Sequence, residues 1–152
     1  MLIGVVSDTH GLLRPEVAPA LVGVEYILHL GDVGNDSILA ELERIAPVHA
    51  VRGNIDLSGT PAKLPETDVL LFECHYVYLL HNIGALSLDP AAAKFSAVLY
   101  GHSHQPHIGH QKGVLYFNPG SCGPRRFNLP VTLGLLEITP AAVEPRIIPL
   151  LD

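Results

Sequence analysis

Apolar residues come along this chain in short runs, each cut off by a polar or glycine-bearing segment. Leu2–Val6 is an unbroken apolar run rich in β-branched residues and predicts a strand buried on both faces. Tyr26–Leu30, Val48–Val51 and Ala97–Tyr100 repeat the pattern. Pro15–Val22 predicts a short helix, with Pro15 suited to its first turn and Pro19 keeping it brief. Asn35–Ile45 predicts the best-defined helix. Asn35 or Asp36 caps it, and Ile38, Leu39, Leu42 and Ile45 make one apolar stripe. Val69–Phe72 and Tyr76–Leu80 predict two strands joined by a tight turn at Glu73-Cys74-His75. Asp89-Pro90 predicts the start of a short helix over Ala91–Phe95, with a cap and an N1 proline. Val114–Phe117 predicts one more strand, and Val131–Ile138 with Val143–Leu150 a hairpin around Thr139-Pro140. Strands alternate with helices in the first half and follow one another in the second. That is α/β passing into antiparallel β: a mixed sheet, or two packed sheets with helices outside.

The polar residues at the ends of these runs change the picture. After Val6 comes Ser7-Asp8-Thr9-His10-Gly11; after Leu30, Gly31-Asp32; after Val51, Arg52-Gly53-Asn54; after Leu80, His81; after Tyr100, Gly101-His102-Ser103-His104. Five strands thus end in Asp, His or Asn, and in open α/β sheets the ligand crevice lies at the carboxyl ends of strands. Asn and Asp are common turn formers, whereas His is not, so turn chemistry alone does not explain the set. Asp8 and His10 are two apart, as are His102 and His104, which in extended backbone aims each pair to one side. Seven donors, namely Asp8, His10, Asp32, Asn54, His81, His102 and His104, exceed one tetrahedral ion and include no thiolate. Carboxylate, imidazole and amide oxygen suit Mn²⁺, Fe²⁺, Zn²⁺ or Ni²⁺. One bridging Asp and six other donors would give four ligands to each of two metals roughly 3.5–4 Å apart, the layout of a two-metal hydrolytic site.

Composition agrees. Nine histidines in a chain whose Lys and Arg together number only 9 lean towards a metal site. The length of 152 residues and the 48% hydrophobic content fit one folded domain spanning residues 1–152. The net charge of −6 argues against a nucleic-acid-binding domain. No uncharged apolar stretch reaches transmembrane length, and Met1–His10 lacks a basic region, so no membrane and a cytoplasmic location are expected. Cys74 and Cys122 are too few for a disulfide framework.

Other features carry blander expectations. His29 and His49 sit inside strands and fit hydrogen-bonded core positions; His75 falls in a turn. His107 and His110 fall in a polar loop, solvent-exposed or touching substrate. Asn118-Pro119-Gly120-Ser121 reads as a tight turn or as a wall of the same cleft. Arg125-Arg126 reads as a solvated pair or as a clamp on an anionic oxygen. Gly120-Ser121-Cys122-Gly123 lacks the spacing of a nucleophile elbow, and there is no Walker A loop or dinucleotide fingerprint.

Taken in order, Asp8-Thr9-His10-Gly11, Gly31-Asp32, Gly53-Asn54-x-Asp56, His81, Gly101-His102-Ser103-His104 and Asn118-Pro119-Gly120-Ser121 resemble the calcineurin-like metallophosphoesterases. The likeness is closest to their small bacterial and archaeal phosphodiesterase branch. It implies a four-layer α/β/β/α sandwich of two mixed sheets. It implies that Asp8, His10 and His104 hold one divalent ion, that Asn54, His81 and His102 hold another, and that Asp32 bridges them. A metal-bridging hydroxide would then attack a small phosphodiester in line. Asp32, Asn54 and His81 are the candidate catalytic residues, and Asn54 and Arg125 the candidate substrate contacts. Mn²⁺ is the first expectation for the metal, with Ni²⁺, Fe²⁺ or Zn²⁺ as alternatives; a homo-oligomer is left open. Two departures stand out. Ile55 occupies the position after Gly-Asn where many relatives carry a proton-donating His, and Asn82 follows His81 where Gly is usual. The rival reading is a weakly catalytic or non-catalytic scaffold, like the retromer subunit of the same fold, which also lacks that His. A nuclease is disfavoured by the charge and the short chain.

Overall fold

The computed structural model describes residues 1–151. Alternation along the first strand, β1 (Leu2–Val6), sends Ile3 and Val5 into one apolar cluster and Val6 into another, so both faces of the strand are covered. β1 lies between β2 (Tyr26–His29), parallel to it, and β9 (Thr132–Ile138), antiparallel. β3 (Val48–Ala50) extends the sheet beyond β2, and β10 (Val143–Pro149) extends it beyond β9. A second five-stranded sheet has the order β4-β5-β6-β8-β7, from Thr67–Phe72, His75–Leu80, Ala97–Leu99, Val114–Asn118 and His107–Gln111 respectively. Its central pairs are parallel and its two outer pairs antiparallel, so both sheets are mixed.

The sheets enclose a core that includes Val5, Leu28, Leu30, Leu79, Leu99 and Phe117. Helices α1 (Val17–Ala20) and α2 (Asp36–Glu43) supply Val17, Ile38 and Leu42 to a second cluster, on the outer face of the first sheet. A third cluster lies outside the second sheet, where Tyr78, Leu80 and Val98 meet Ile83, Leu86 and Phe95. The expected sandwich is present, but among the described residues its fourth layer contains no α-helix. The helix expected over Ala91–Phe95 is a single turn. Asp89 caps it through Ala91 N–H and Ala92 N–H as expected, but Lys94 adopts φ 60° and ends it. A nucleus that short does not repay its ordering cost. A 3₁₀ turn at Ile83–Ala85, unforeseen from the sequence, covers the rest. The helix expected at Pro15–Val22 keeps only Val17–Ala20, because no side chain caps it and Pro19 has no N–H. Asn35 caps α2 through the Ser37 N–H, as its position predicts. His75 belongs to β5, opposite Phe72, so the hairpin turn shrinks to Glu73-Cys74 with Glu73 at φ 56°. The expected loop at His107–His110 is an exposed edge strand. Among the described residues, no helix is long and apolar enough to cross a membrane.

Candidate metal centre

Backbone hydrogen bonding continues past the strand ends and ties the polar segments together. The N–H groups of Asp8, His10 and Gly11 donate to Gly31, Asp32 and Val33 carbonyls at 2.9–3.0 Å. Gly101 N–H donates to His81 O at 2.9 Å, and His102 N–H crosses between the sheets to Asp8 Oδ2 at 3.1 Å. Loops from both sheets therefore meet at one edge, and they carry all seven expected donors.

The extended geometry expected for the Asp8/His10 and His102/His104 pairs is not what aims them. Asp8, His10, Asp32, His102 and His104 all take φ between 46° and 71°, the left-handed region. That conformation costs roughly 1–3 kcal/mol per residue and persists where surroundings over-determine it, typically at functional sites. Gly31, at φ 102°, packs so tightly that a Cβ would lie 2.6 Å from His81 Nδ1. A Cβ on Gly101 would overlap Ser7 Oγ.

The side chains sort into two groups. Asp8, His10 and His104 bring one ligand atom each within 4.8 Å of one another, and Asp32, His81 and His102 do the same. Asn54 joins the second group, its Oδ1 lying 3.0 Å from His81 Nε2 and 3.2 Å from His102 Nδ1. Asp32 stands between the groups, with Oδ2 3.5 Å from His10 Nε2 and 3.2 Å from His81 Nε2. Arg125 is exposed in the segment after Gly123, outside the cleft that adjoins the second group.

Four atoms test whether the residues fit a cation. Asp8 Oδ1, His10 Nε2 and both ring nitrogens of His104 are buried with no hydrogen-bond partner among the described residues. Such groups cost about 1–3 kcal/mol each when left unsatisfied. His10 Nε2 and His104 Nε2 lie 3.8 and 3.4 Å from Asp8 Oδ1, close enough for attraction but not hydrogen-bonded. Buried lone-pair donors converging with carboxylates are what a divalent ion requires.

Burial alone would raise the Asp8 carboxyl, but the His10 and His104 imidazoles, Ser7 and the nearby His81 hold it well below the usual carboxylate range. Burial opposes Asp32 ionisation too, and His81 and the Ile55 N–H outweigh it, lowering that carboxyl. Both acids are therefore charged at neutral pH. Burial alone would lower His81, but Asp32, Asp8 and the Leu30 carbonyl raise it. The Leu30 carbonyl accepts at 2.7 Å, so His81 Nδ1 carries a proton, and Nε2 is the atom turned to Asp32 and Asn54.

Further residues hold this arrangement. Asp56 accepts N–H bonds from Val33, Gly34 and Gly53. Asn118 donates to Gly101 O and Ser103 Oγ, and Ser121 Oγ donates to the Asp8 carbonyl. The Asn118–Ser121 segment is thus an inner brace of the ligand loops. Arg52, which the sequence reading passed over, lines the cleft beside Asn54; its place just before Gly53-Asn54 was the available signal.

His29 is a core histidine, as expected, and its bonds define its tautomer. Gly31 N–H donates to Nδ1 at 3.1 Å, so Nε2 carries the proton and donates to Thr9 Oγ1 at 3.0 Å. Burial pushes His29 down to about 4 from 6.5, against the pull of Asp8 and Asp56. Between those values the unfolded chain binds a proton that the folded chain does not, so stability rises with pH across this window and is lost as pH falls. The full shift corresponds to about 3 kcal/mol. His81 acts in the opposite sense, so the comparison must isolate His29. Urea unfolding of metal-free wild type and His29→Gln from pH 4 to 7 is expected to give a steeper acid loss for wild type. Equal slopes would show that His29 does not stay neutral in the fold.

A family model for the calcineurin-like phosphoesterase superfamily domain matches residues 1–140. A protein of Methanothermobacter thermautotrophicus named "probable metallophosphoesterase" is 36% identical over 136 residues, covering 80% of this chain and 77% of its own. The Escherichia coli phosphodiesterase YfcE is 32% identical over 158 residues, covering 86% of this chain and 84% of its own. Among solved structures, Vps29 of Chaetomium thermophilum superposes with a TM-score of 0.81 at 17% identity, covering 98% of this chain and 97% of its own. That last likeness is one of fold.

Proposed function

The chain belongs to the calcineurin-like phosphoesterase superfamily, and from that premise we propose that it is a metal-dependent phosphodiesterase with a dinuclear site. The observation that carries the reading is the pair of ligand groups sharing Asp32 between them, with unsatisfied buried donors in the first. Asp8, His10 and His104 would hold one ion; Asn54, His81 and His102 the other; and Asp32 both. Ions bound there supply a nucleophilic water near neutral pH and neutralise charge on the phosphoryl oxygens. The chain's own residues do the rest. His81 is locked in one tautomer by Leu30, Asp32 is oriented by the Ile55 N–H, and the left-handed loops keep the donors pointed inward. Mn²⁺ is the metal we propose, in a cytoplasmic protein acting on small diesters. Arg125 is kept as a proposed substrate contact; its exposure would let it reach a substrate projecting out of the site.

Activated aryl phosphodiesters are favoured over alkyl monoesters, because Ile55 disfavours leaving groups that need a proton and a diester carries one less negative charge into an acidic protein. The residue is 40% exposed beside the site, and its side chain offers no proton to a departing alkoxide. A positioned general acid contributes roughly 10²–10⁴ in rate. Wild type is therefore expected to show a steep fall of kcat/KM with rising leaving-group pKa across aryl and alkyl phosphodiesters. Ile55→His keeps the backbone N–H to Asp32 and should raise the poorest leaving groups by about 10² while barely changing the best. A flat wild-type dependence would mean that another group already donates the proton. Failure of the Mn²⁺-loaded protein to hydrolyse bis(p-nitrophenyl) phosphate would leave the scaffold reading in its place.

A further inference from the structure

The two ligand groups have different surroundings. Asp8 and His104 are buried, whereas Asn54 and His102 are exposed. A cleft of about 360 Å³ opens beside Asn54, His81 and His102, and none of Asp8, His10 or His104 lines it. An ester whose phosphorus sits at the centre therefore has room for one of its alcohols beside the second group.

The chemistry of the cleft walls selects among alcohols. Arg52 supplies a cation, but Glu66 takes its Nη2 at 2.6 Å and the Ala62 carbonyl takes its Nη1 at 3.1 Å. The guanidinium is therefore balanced, and the cleft holds no surplus positive charge for a second phosphate. Thr67, Ser87 and the Glu66 carboxylate add hydroxyl and carboxylate groups, so donors and acceptors face the same space. Tyr78 and Leu80, two apart on β5, give it an apolar floor. The far wall is the 3₁₀ turn, pinned where Asn82 Oδ1 accepts Gly84 N–H at 2.9 Å. Asn82 is one of the two departures from the family pattern. The volume lies at the small end for a ligand pocket and suits one sugar-sized group.

We propose that this cleft binds the neutral, hydroxyl-bearing alcohol of a phosphodiester, of glycerol or sugar type, and that Arg52, Glu66 and Ser87 determine that specificity. The inference rests on the phosphodiesterase reading above.

The test uses the full chain loaded with Mn²⁺ and p-nitrophenyl phosphodiesters that share a leaving group and differ in the second alcohol, methanol or glycerol. Wild type should prefer the glyceryl ester by about tenfold in kcat/KM, mostly through KM. Ser87→Tyr, which fills the cleft from an exposed position, and Arg52→Met should each bring that ratio to near one. A second readout needs no turnover. In Zn²⁺-loaded protein, glycerol 3-phosphate should shift the backbone amides of residues 52 and 82–87, and methyl phosphate should not. A ratio near one in wild type, with bis(p-nitrophenyl) phosphate still hydrolysed, overturns the subsite and leaves the phosphodiesterase reading intact. If no ester is hydrolysed, that reading fails and the amide shifts alone decide: shifts confined to the cleft uphold the subsite, and their absence overturns it.

Discussion

Stripping divalent ions from the protein with a chelator is expected to abolish diester hydrolysis, a loss of more than ~10⁴-fold, and Mn²⁺ is expected to restore it. The size of the effect follows from what the chain lacks. Asp8 and Asp32 are held as carboxylates, which repel an anionic substrate unless cations balance them. Ser121, the serine nearest to a nucleophile motif, spends its hydroxyl on the Asp8 carbonyl. The Cys122 thiol is pushed up to about 12 by burial and is no nucleophile. Without ions, water at the site has its ordinary pKa and the phosphoryl charge has no partner. Removing the ions should also lower the unfolding midpoint, because the buried donors of Asp8, His10 and His104 return to having no partner. Full activity in protein shown by elemental analysis to be metal-free would sink the dinuclear reading.

Asp32→Asn should be nearly as severe. One oxygen of Asp32 lies 3.5 Å from His10 Nε2 and 3.2 Å from His81 Nε2, whereas Asp8 Oδ1 is 3.9 Å from His81 Nε2; the amide has the shape of Asp32 without its charge. The variant can still accept the Ile55 N–H through one oxygen, so the loop should hold. The other face of the amide turns either an NH₂ or a weak oxygen towards His10 and His81, and neither balances two dications. Metal content is expected to fall at both sites together, and kcat/KM by at least ~10³. Urea unfolding of the metal-free variant checks that the chain is folded. If elemental analysis still finds about two ions per chain, Asp32 does not bridge.

Much of this was readable from local pattern. Apolar runs such as Leu2–Val6 must be buried on both faces, and their polar ends must then lie at a sheet edge. That suffices to place seven donors at one rim, because strand direction and residue type are written into a few neighbouring positions. Asn35 announced α2 for the same reason: capping is a contact between residues two apart. The short helix over Ala91–Phe95 failed where a local signal had to be sustained. Its cap and proline were right, but Phe95 is drawn off to stack on Tyr78 at 5.3 Å, a contact across the sheet face that no local pattern encodes. His107–Gln111 became a strand because β8 offered an edge, not because its own residues favour one.

The division of the donors into two groups, which residue types alone do not carry and only the family resemblance implied, is made by the fold. So is their left-handed backbone, which replaces the extended geometry that the i, i+2 spacing suggested for Asp8 and His10. His102 N–H reaches Asp8 Oδ2 across 94 residues, and His81 reaches Leu30 O across 51. Interactions at such separations depend on how two sheets stack, and residue type alone carries no record of it. The pairing of Arg52 with Glu66 and the cleft beside Asn54 belong to the same class. Residue types along the chain specify what chemistry is available. Only packing brings those groups to within a few ångströms and decides which of them could hold one ion together, which brace a loop and which face an open cleft.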